Sequence, residues 1–226
     1  LLPSDAVRAA LIDLDGTLID ALPDIHAAIS QVARRFDLRE ASVAEVRGWI
    51  GKGARQLIER LLQHQQGASV QVTPDEALKA YVEEYTLVNG RQASVYPEVI
   101  DGLKVMKTAG IKLACVTNKP EAPTRVLLQL TGLIGYFDVV IGGSPHLALK
   151  PAPDALVAAC KALGCSVAES VMIGDSENDL LAARAANMRC LLVPYGYSTE
   201  APVQELMADA IVPTLKEAAR WITAEH

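Results

Sequence analysis

The chain has 226 residues, 50% of them apolar and 21% charged, which fits a globular protein and argues against disorder. With 21 basic against 27 acidic residues the formal net charge is −6. No strongly basic stretch occurs, so nucleic acid and anionic membrane surfaces are not expected partners.

The first predicted strand is Val7–Ile12, short and apolar, followed at once by Asp13-Leu14-Asp15-Gly16-Thr17. From about residue 21 the pattern is helical, with Ile25, Ala28, Ile29 and Val32 on one face. A second helix starts after Ser42, with Glu45 completing a capping-box pattern. Gly51-Lys52-Gly53 breaks the chain, and Leu57, Ile58, Leu61 and Leu62 mark a third helix. Gln63–Gln71 reads as a polar loop, and Thr73-Pro74 opens a fourth helix through Leu78, Tyr81, Val82 and Tyr85. No strand signal lies between residues 21 and 92.

From about Tyr96 helices and strands alternate. The expected helices are Glu98–Thr108, Glu121–Leu130, Pro153–Leu163, Asp179–Ala186 and Thr214–Thr223. The expected strands are Ile111–Val116, Val139–Ile141, Ser170–Ile173, Cys190–Val193 and Ala210–Val212. Such alternation implies an α/β fold with a parallel sheet covered on both faces.

The longest run without a charged residue, Leu61–Pro74, spans 14 residues, short of the ~20 a membrane helix needs. Residues Leu1 to Asp5 have neither the basic nor the apolar region of a signal peptide. Cys115, Cys160, Cys165 and Cys190 form no C-x-x-C pair and read as free thiols, in keeping with a reducing, cytoplasmic setting. His26, His64, His146 and His226 show no metal-ligand spacing.

Four polar clusters each follow a predicted strand: Asp13/Asp15, Thr117/Asn118, Lys150 and Asp175/Asp179. In open parallel sheets ligands bind at the carboxyl ends of strands, so the four clusters can meet at one edge. Asp13 and Asp15, two apart in extended chain, point the same way and repel unless a cation lies beside them. Gly16 permits a tight turn and a close approach to a ligand. Taken alone, Asp-x-Asp-Gly reads equally as a strand ending in a turn, and Asp179 equally as an acidic residue placed by a helix dipole. Together the carboxylates form a hard oxygen set that suits Mg²⁺, and Lys150 and Thr117 offer a phosphate the positive charge and donors that carboxylates lack. No Walker loop, dinucleotide fingerprint or G-x-S-x-G elbow is present.

Asp13-Leu14-Asp15-Gly16-Thr17-Leu18, Val116-Thr117-Asn118-Lys119, Lys150-Pro151 with Pro153-Asp154, and Gly174-Asp175-Ser176-Glu177-Asn178-Asp179 resemble, in order, the four motifs of the haloacid dehalogenase superfamily. Trp49-Ile50-Gly51-Lys52-Gly53, Val140-Ile141-Gly142-Gly143 and Tyr195-Gly196-Tyr197 resemble the bacterial phosphoglycolate phosphatase branch. Ala152 departs from that pattern, since relatives often carry His there. The resemblance implies a Rossmann-like doubly wound core of residues 1–20 and 93–226 with an inserted all-helical cap of residues 21–92.

It also implies roles. Asp13 is the nucleophile that forms an aspartyl-phosphate, and Asp15 the acid and base. Mg²⁺ is held by Asp13, the Asp15 carbonyl and Asp175, with Asp179 positioning its waters or Lys150. Gly16, Thr117, Asn118 and Lys150 serve the phosphoryl group, and Lys52 or Arg55 of the cap pairs with a substrate carboxylate, or cap-loop N–H groups bind it. The reaction implied is Mg²⁺-dependent hydrolysis of a small phosphate monoester, 2-phosphoglycolate first, by a monomer or homodimer. A sugar-phosphate phosphatase (N-acetylmuramic acid 6-phosphate, for example), a phosphosugar mutase and a non-catalytic phosphometabolite binder are the alternatives. A Schiff base on Lys52 is set aside because Asp15 supplies the acid that an ester leaving group requires.

Overall fold

The computed structural model describes residues 7–65, 71–197 and 203–224. Leu1 to Asp5, most of the Gln63–Gln71 loop and His226 lie outside them.

The chain opens with β1 (Ala9–Ile12) and β2 (Ile19–Asp20), then four helices: α1 (Leu22–Arg35), α2 (Val43–Trp49), α3 (Ala54–Gln63) and α4 (Pro74–Val88). It returns through β3 (Ser94–Val95) to α5 (Val99–Thr108), β4 (Lys112–Pro120), α6 (Glu121–Leu130), β5 (Val139–Gly143) and α7 (Asp154–Leu163). The remainder is β6 (Ser170–Gly174), α8 (Glu177–Ala185), β7 (Arg189–Leu192), β8 (Ala210–Ile211) and α9 (Leu215–Ala224).

Six parallel strands form one sheet in the order β5-β4-β1-β6-β7-β8. All four residues of β1 are buried because both faces are covered. Ala10 and Ile12 face one core with Leu103 and Met106 of α5 and Leu215 and Ile222 of α9. Ala9 and Leu11 face the other, with Leu156 of α7 and Leu180 of α8. From β1 the chain winds outward through β4 and β5, then crosses back to β6 on the other side of β1, so the winding reverses between β1 and β6 and a crevice opens at their carboxyl ends. Register fixes what meets there. Ile12 lies opposite Cys115 and Ile173, which puts Asp13 level with Val116 and Gly174, one residue before Thr117 and Asp175.

Three details differ from the sequence reading. Strand β4 continues to Pro120 instead of ending at Val116, and its pairing with β5 shifts register on the way. Helix α8 begins at Glu177, two residues early, because Ser176 is its N-cap and Asp179 closes the capping box. The short pair β2–β3, antiparallel through Ile19–Val95 and Asp20–Ser94, carries no local signal; it forms where the chain leaves and re-enters the sheet region.

The expected capping box at Ser42/Glu45 and the expected N-cap at Thr73 are both formed, the latter extended by Glu76 into a second box, each cap contributing about 0.5–2 kcal/mol. The N-cap residue of α1, Ala21, has no side-chain acceptor, and of the first N–H groups Asp20 Oδ1 accepts only that of Leu22, at 3.2 Å. Instead the Tyr197 hydroxyl accepts from the Ala21 and Leu22 N–H groups at 2.8 and 3.0 Å and donates to Asp20 Oδ1 at 2.6 Å. The return crossing is held by buried Asp24 of α1, which accepts from Gly90, Gln92 and Ala93 N–H at 2.8–3.3 Å. A buried carboxylate tolerates its burial only with such donors.

All four cysteines are free thiols. Among the described residues no helix is long and apolar enough to cross a membrane.

Candidate active site

Asp13 leaves β1, Asp175 leaves β6, and Asp179 stands in the first turn of α8. An oxygen from each lies within 4.8 Å of the others. Lys150 Nζ reaches the middle of this group, 2.9 Å from Asp13 Oδ1 and 2.6 Å from Asp179 Oδ1, with Val116 C=O at 3.0 Å. The other Asp179 oxygen accepts from the Asp175 and Ser176 N–H groups and from Ser176 Oγ. Asp179 is therefore fully occupied in holding Lys150 and the helix start.

Asp175 accepts from Thr17 Oγ1 at 3.2 Å and from Tyr197 N–H at 2.6 Å. Its carboxylate sits between Gly16, at φ +92°, and Gly196; a Cβ at either would overlap it. Gly16 thus serves the approach of Asp175, and it is not among the residues that line the cavities above the site.

Burial pushes the Asp13 carboxyl up to about 6, with Lys150 opposing the rise and Asp179 adding to it. Burial, then Asp179 and Asp13, raise Asp175 well above the usual carboxylate range. Burial works against the Lys150 ammonium, but Asp13 and Asp179 together outweigh it and raise the group.

Asp15 faces Lys119, whose Nζ lies 2.9 and 3.0 Å from its two oxygens and 4.7 Å from the centre of the Tyr85 ring. This pairing is absent from the sequence reading, although a signal existed. Thr117 and Lys119 are two apart in extended chain and share a side, as Asp13 and Asp15 do. The Asn118 side chain is committed elsewhere: Nδ2 donates to Lys150 C=O at 2.8 Å and Gly51 C=O at 2.9 Å, while Oδ1 accepts from Lys150 N–H at 2.8 Å. It anchors the Lys150 loop and grips the Gly51 turn from below. Thr117 is buried, and its Oγ1 accepts from Lys119 N–H.

Two cavities open from Asp13 and Asp15. The smaller, 50 Å³, is walled by Lys52, Gln56 and Arg60 and by Asp175, Asn178 and Tyr197. The larger, 320 Å³, reaches Thr117, Asn118, Lys119 and Lys150 and then runs between α4 and α6. Arg55 belongs to neither: its guanidinium turns outward to Asp75 at 2.6 Å. Of the two cap residues expected near a substrate carboxylate, only Lys52 is brought to the site. Arg47 of α2 was also overlooked; it donates to Gly196 C=O and lies over the Tyr197 ring, joining α2 to the loop that holds Asp175.

Four carboxylates, Asp13, Asp15, Asp175 and Asp179, face two ammonium groups, Lys119 and Lys150, and two negative charges remain uncompensated. Asp13 Oδ1 is buried and has the Lys150 ammonium beside it at 2.9 Å, with no further hydrogen bond. A hard divalent cation fits this donor set in charge and in ligand type. Asp13 and Asp175 are the residues to hold it, since Asp179 Oδ1 is taken by Lys150 and Oδ2 by three donors, whereas each Asp175 oxygen accepts one hydrogen bond.

The model of the haloacid dehalogenase-like hydrolases matches residues 7–187. A phosphoglycolate phosphatase of Cupriavidus necator is 40% identical over 215 residues, 95% of this chain and 93% of that protein. One of Nitrosospira multiformis is 37% identical over 221 residues, 96% of each. The crystal structure of a predicted phosphoglycolate phosphatase from Haemophilus somnus superposes with a TM-score of 0.87 at 29% identity, covering 95% of this chain and 97% of that one. The chain therefore belongs to the haloacid dehalogenase-like hydrolases, among their phosphoglycolate phosphatase-like members.

Proposed function

We propose that the chain is a Mg²⁺-dependent phosphatase that converts 2-phosphoglycolate to glycolate and phosphate. The observation that carries this is the meeting of Asp13, Asp15, Lys119 and Lys150 at the floor of one cleft. In this reading an Asp13 oxygen attacks phosphorus as the ester P–O bond breaks, and Asp15 gives its proton to the leaving glycolate oxygen. Water then attacks the aspartyl-phosphate, its proton passes to Asp15, and inorganic phosphate leaves. Thr117, Lys119 and Lys150 neutralise and orient the phosphoryl oxygens, where preorganised charge lowers the barrier most. Mg²⁺ on Asp13 and Asp175 would supply further charge neutralisation. Lys52, in the small cavity, takes the substrate carboxylate.

We assign residues 21–92 to a cap and 1–20 with 93–226 to the core, and place the protein in the cytoplasm. The supports are the β2–β3 crossing and the free thiols. The names of the relatives support the substrate.

The test is phosphate release from 2-phosphoglycolate with Mg²⁺, beside sugar phosphates and phosphoserine, compared by kcat/KM. A preference of about a hundredfold, ~2.7 kcal/mol, is expected. Asp13→Asn is expected to lose on the order of a thousandfold or more in kcat with the fold intact. Equal rates on all esters would remove the substrate assignment, and an active Asp13→Asn would remove the nucleophile.

A further inference from the structure

The larger cavity does not match a two-carbon acid. Its 320 Å³ falls in the range of about 300–1,000 Å³ typical of pockets for drug-sized ligands. It begins at Asp13 and Lys150, and beyond Lys119 its walls are apolar: Ile25, Leu57, Tyr81, Tyr85, Pro123 and Val126 among them. Two of the polar side chains on this wall, Tyr85 and Asn89, are already paired. Tyr85 Oη donates to Asn89 Oδ1 at 2.9 Å, and Asn89 Nδ2 donates to Pro123 C=O at 3.0 Å. A sugar hydroxyl entering here would give up water without finding a free partner on these groups, whereas methylenes lose nothing. At the outer end Val82 of α4 and Val126 of α6 are 53% and 45% exposed, an apolar lip on both sides of the opening.

We propose that the same nucleophile also serves phosphate monoesters of medium-length apolar alcohols, whose carbon chain fills the space between α4 and α6. The inference rests on the phosphatase reading above and extends its substrate class. The phosphoryl group occupies the same floor, Asp13 displaces the alcohol, and Asp15 protonates it as before. The two cavities would then sort substrates, a carboxylate toward Lys52 and a carbon chain toward Tyr81 and Tyr85.

The experiment is phosphate release with Mg²⁺ from ethyl, butyl and hexyl phosphate, with 2-phosphoglycolate alongside. Leaving-group acidity barely changes along the alkyl series, so kcat/KM reads the wall. It is expected to climb about three- to fourfold per added methylene, near 0.8 kcal/mol each. Val126→Asp, at an exposed position, is expected to flatten that slope. Release that stays level or falls with chain length overturns the inference while leaving the phosphatase reading in place, as does an unchanged slope in Val126→Asp. No release from any ester, 2-phosphoglycolate included, overturns both.

Discussion

The floor of the site and the cap above it are built on different principles. On the floor, each charged group is fixed by several partners. Lys150 has Asp13, Asp179 and Val116, while Asp179 has Lys150, Asp175 and Ser176. The cap meets that floor through few polar links, chiefly Gly51 on Asn118 and Arg47 on Gly196, and otherwise presents apolar wall or exposed polar side chains. Chemistry is thereby separated from choice of substrate. The floor cannot change one residue without unsettling its neighbours, and the cap can.

Lys150→Met is the hardest blow to this division, since it leaves Asp13 and Asp179 buried without their shared cation. Stability is expected to fall by about 3–5 kcal/mol in chemical denaturation without divalent cation, with activity lost as well. Addition of Mg²⁺ comes next. It should stabilise the wild type by about 2.7 kcal/mol at a hundred times its dissociation constant, read as a shift in thermal unfolding, and should do so far less in Asp175→Asn. Tyr197→Phe lies between floor and cap. It strands the Ala21 N–H and leaves Leu22 N–H with Asp20 alone, and about 1–3 kcal/mol of stability should be lost in urea melts. Lys52→Ala touches the cap alone. KM for 2-phosphoglycolate should rise about tenfold, ~1.4 kcal/mol, while hexyl phosphate kinetics hold steady. Equal damage to both substrates would place Lys52 in the floor and break the comparison.

The same division governs what was legible in the sequence. Asp13, Thr117 and Asp175 could be located because each follows an apolar run, and the switch-point rule says where such ends meet. Helix α4 was recognisable from its Thr73-Pro74 start and its Tyr81/Tyr85 spacing, but spacing alone assigns those rings to a core. That they border a cavity follows from where α6 stands, a tertiary fact. Arg55 was misplaced for the same reason: a basic residue at a helix start carries no mark of whether it faces a substrate or Asp75. The β2–β3 pair escaped notice because its two-residue strands lie far apart in the chain. Lys119 is the instructive miss, because its shared side with Thr117 was open to inspection once the strand was allowed to continue.

Tyr197 has a consequence for how the molecule comes into being. The N–H groups it caps belong to Ala21 and Leu22, 176 and 175 positions earlier in the chain. Domains fold as units while the ribosome delivers the chain from its N-terminal end. Until Tyr197 arrives, for nearly the whole of translation, the first turn of α1 has only Asp20, two residues before Leu22, to accept from its N–H groups. The same late residue brings Asp175 its N–H donor. The full capping of α1 and the completion of the acidic site thus depend on the arrival of one tyrosine.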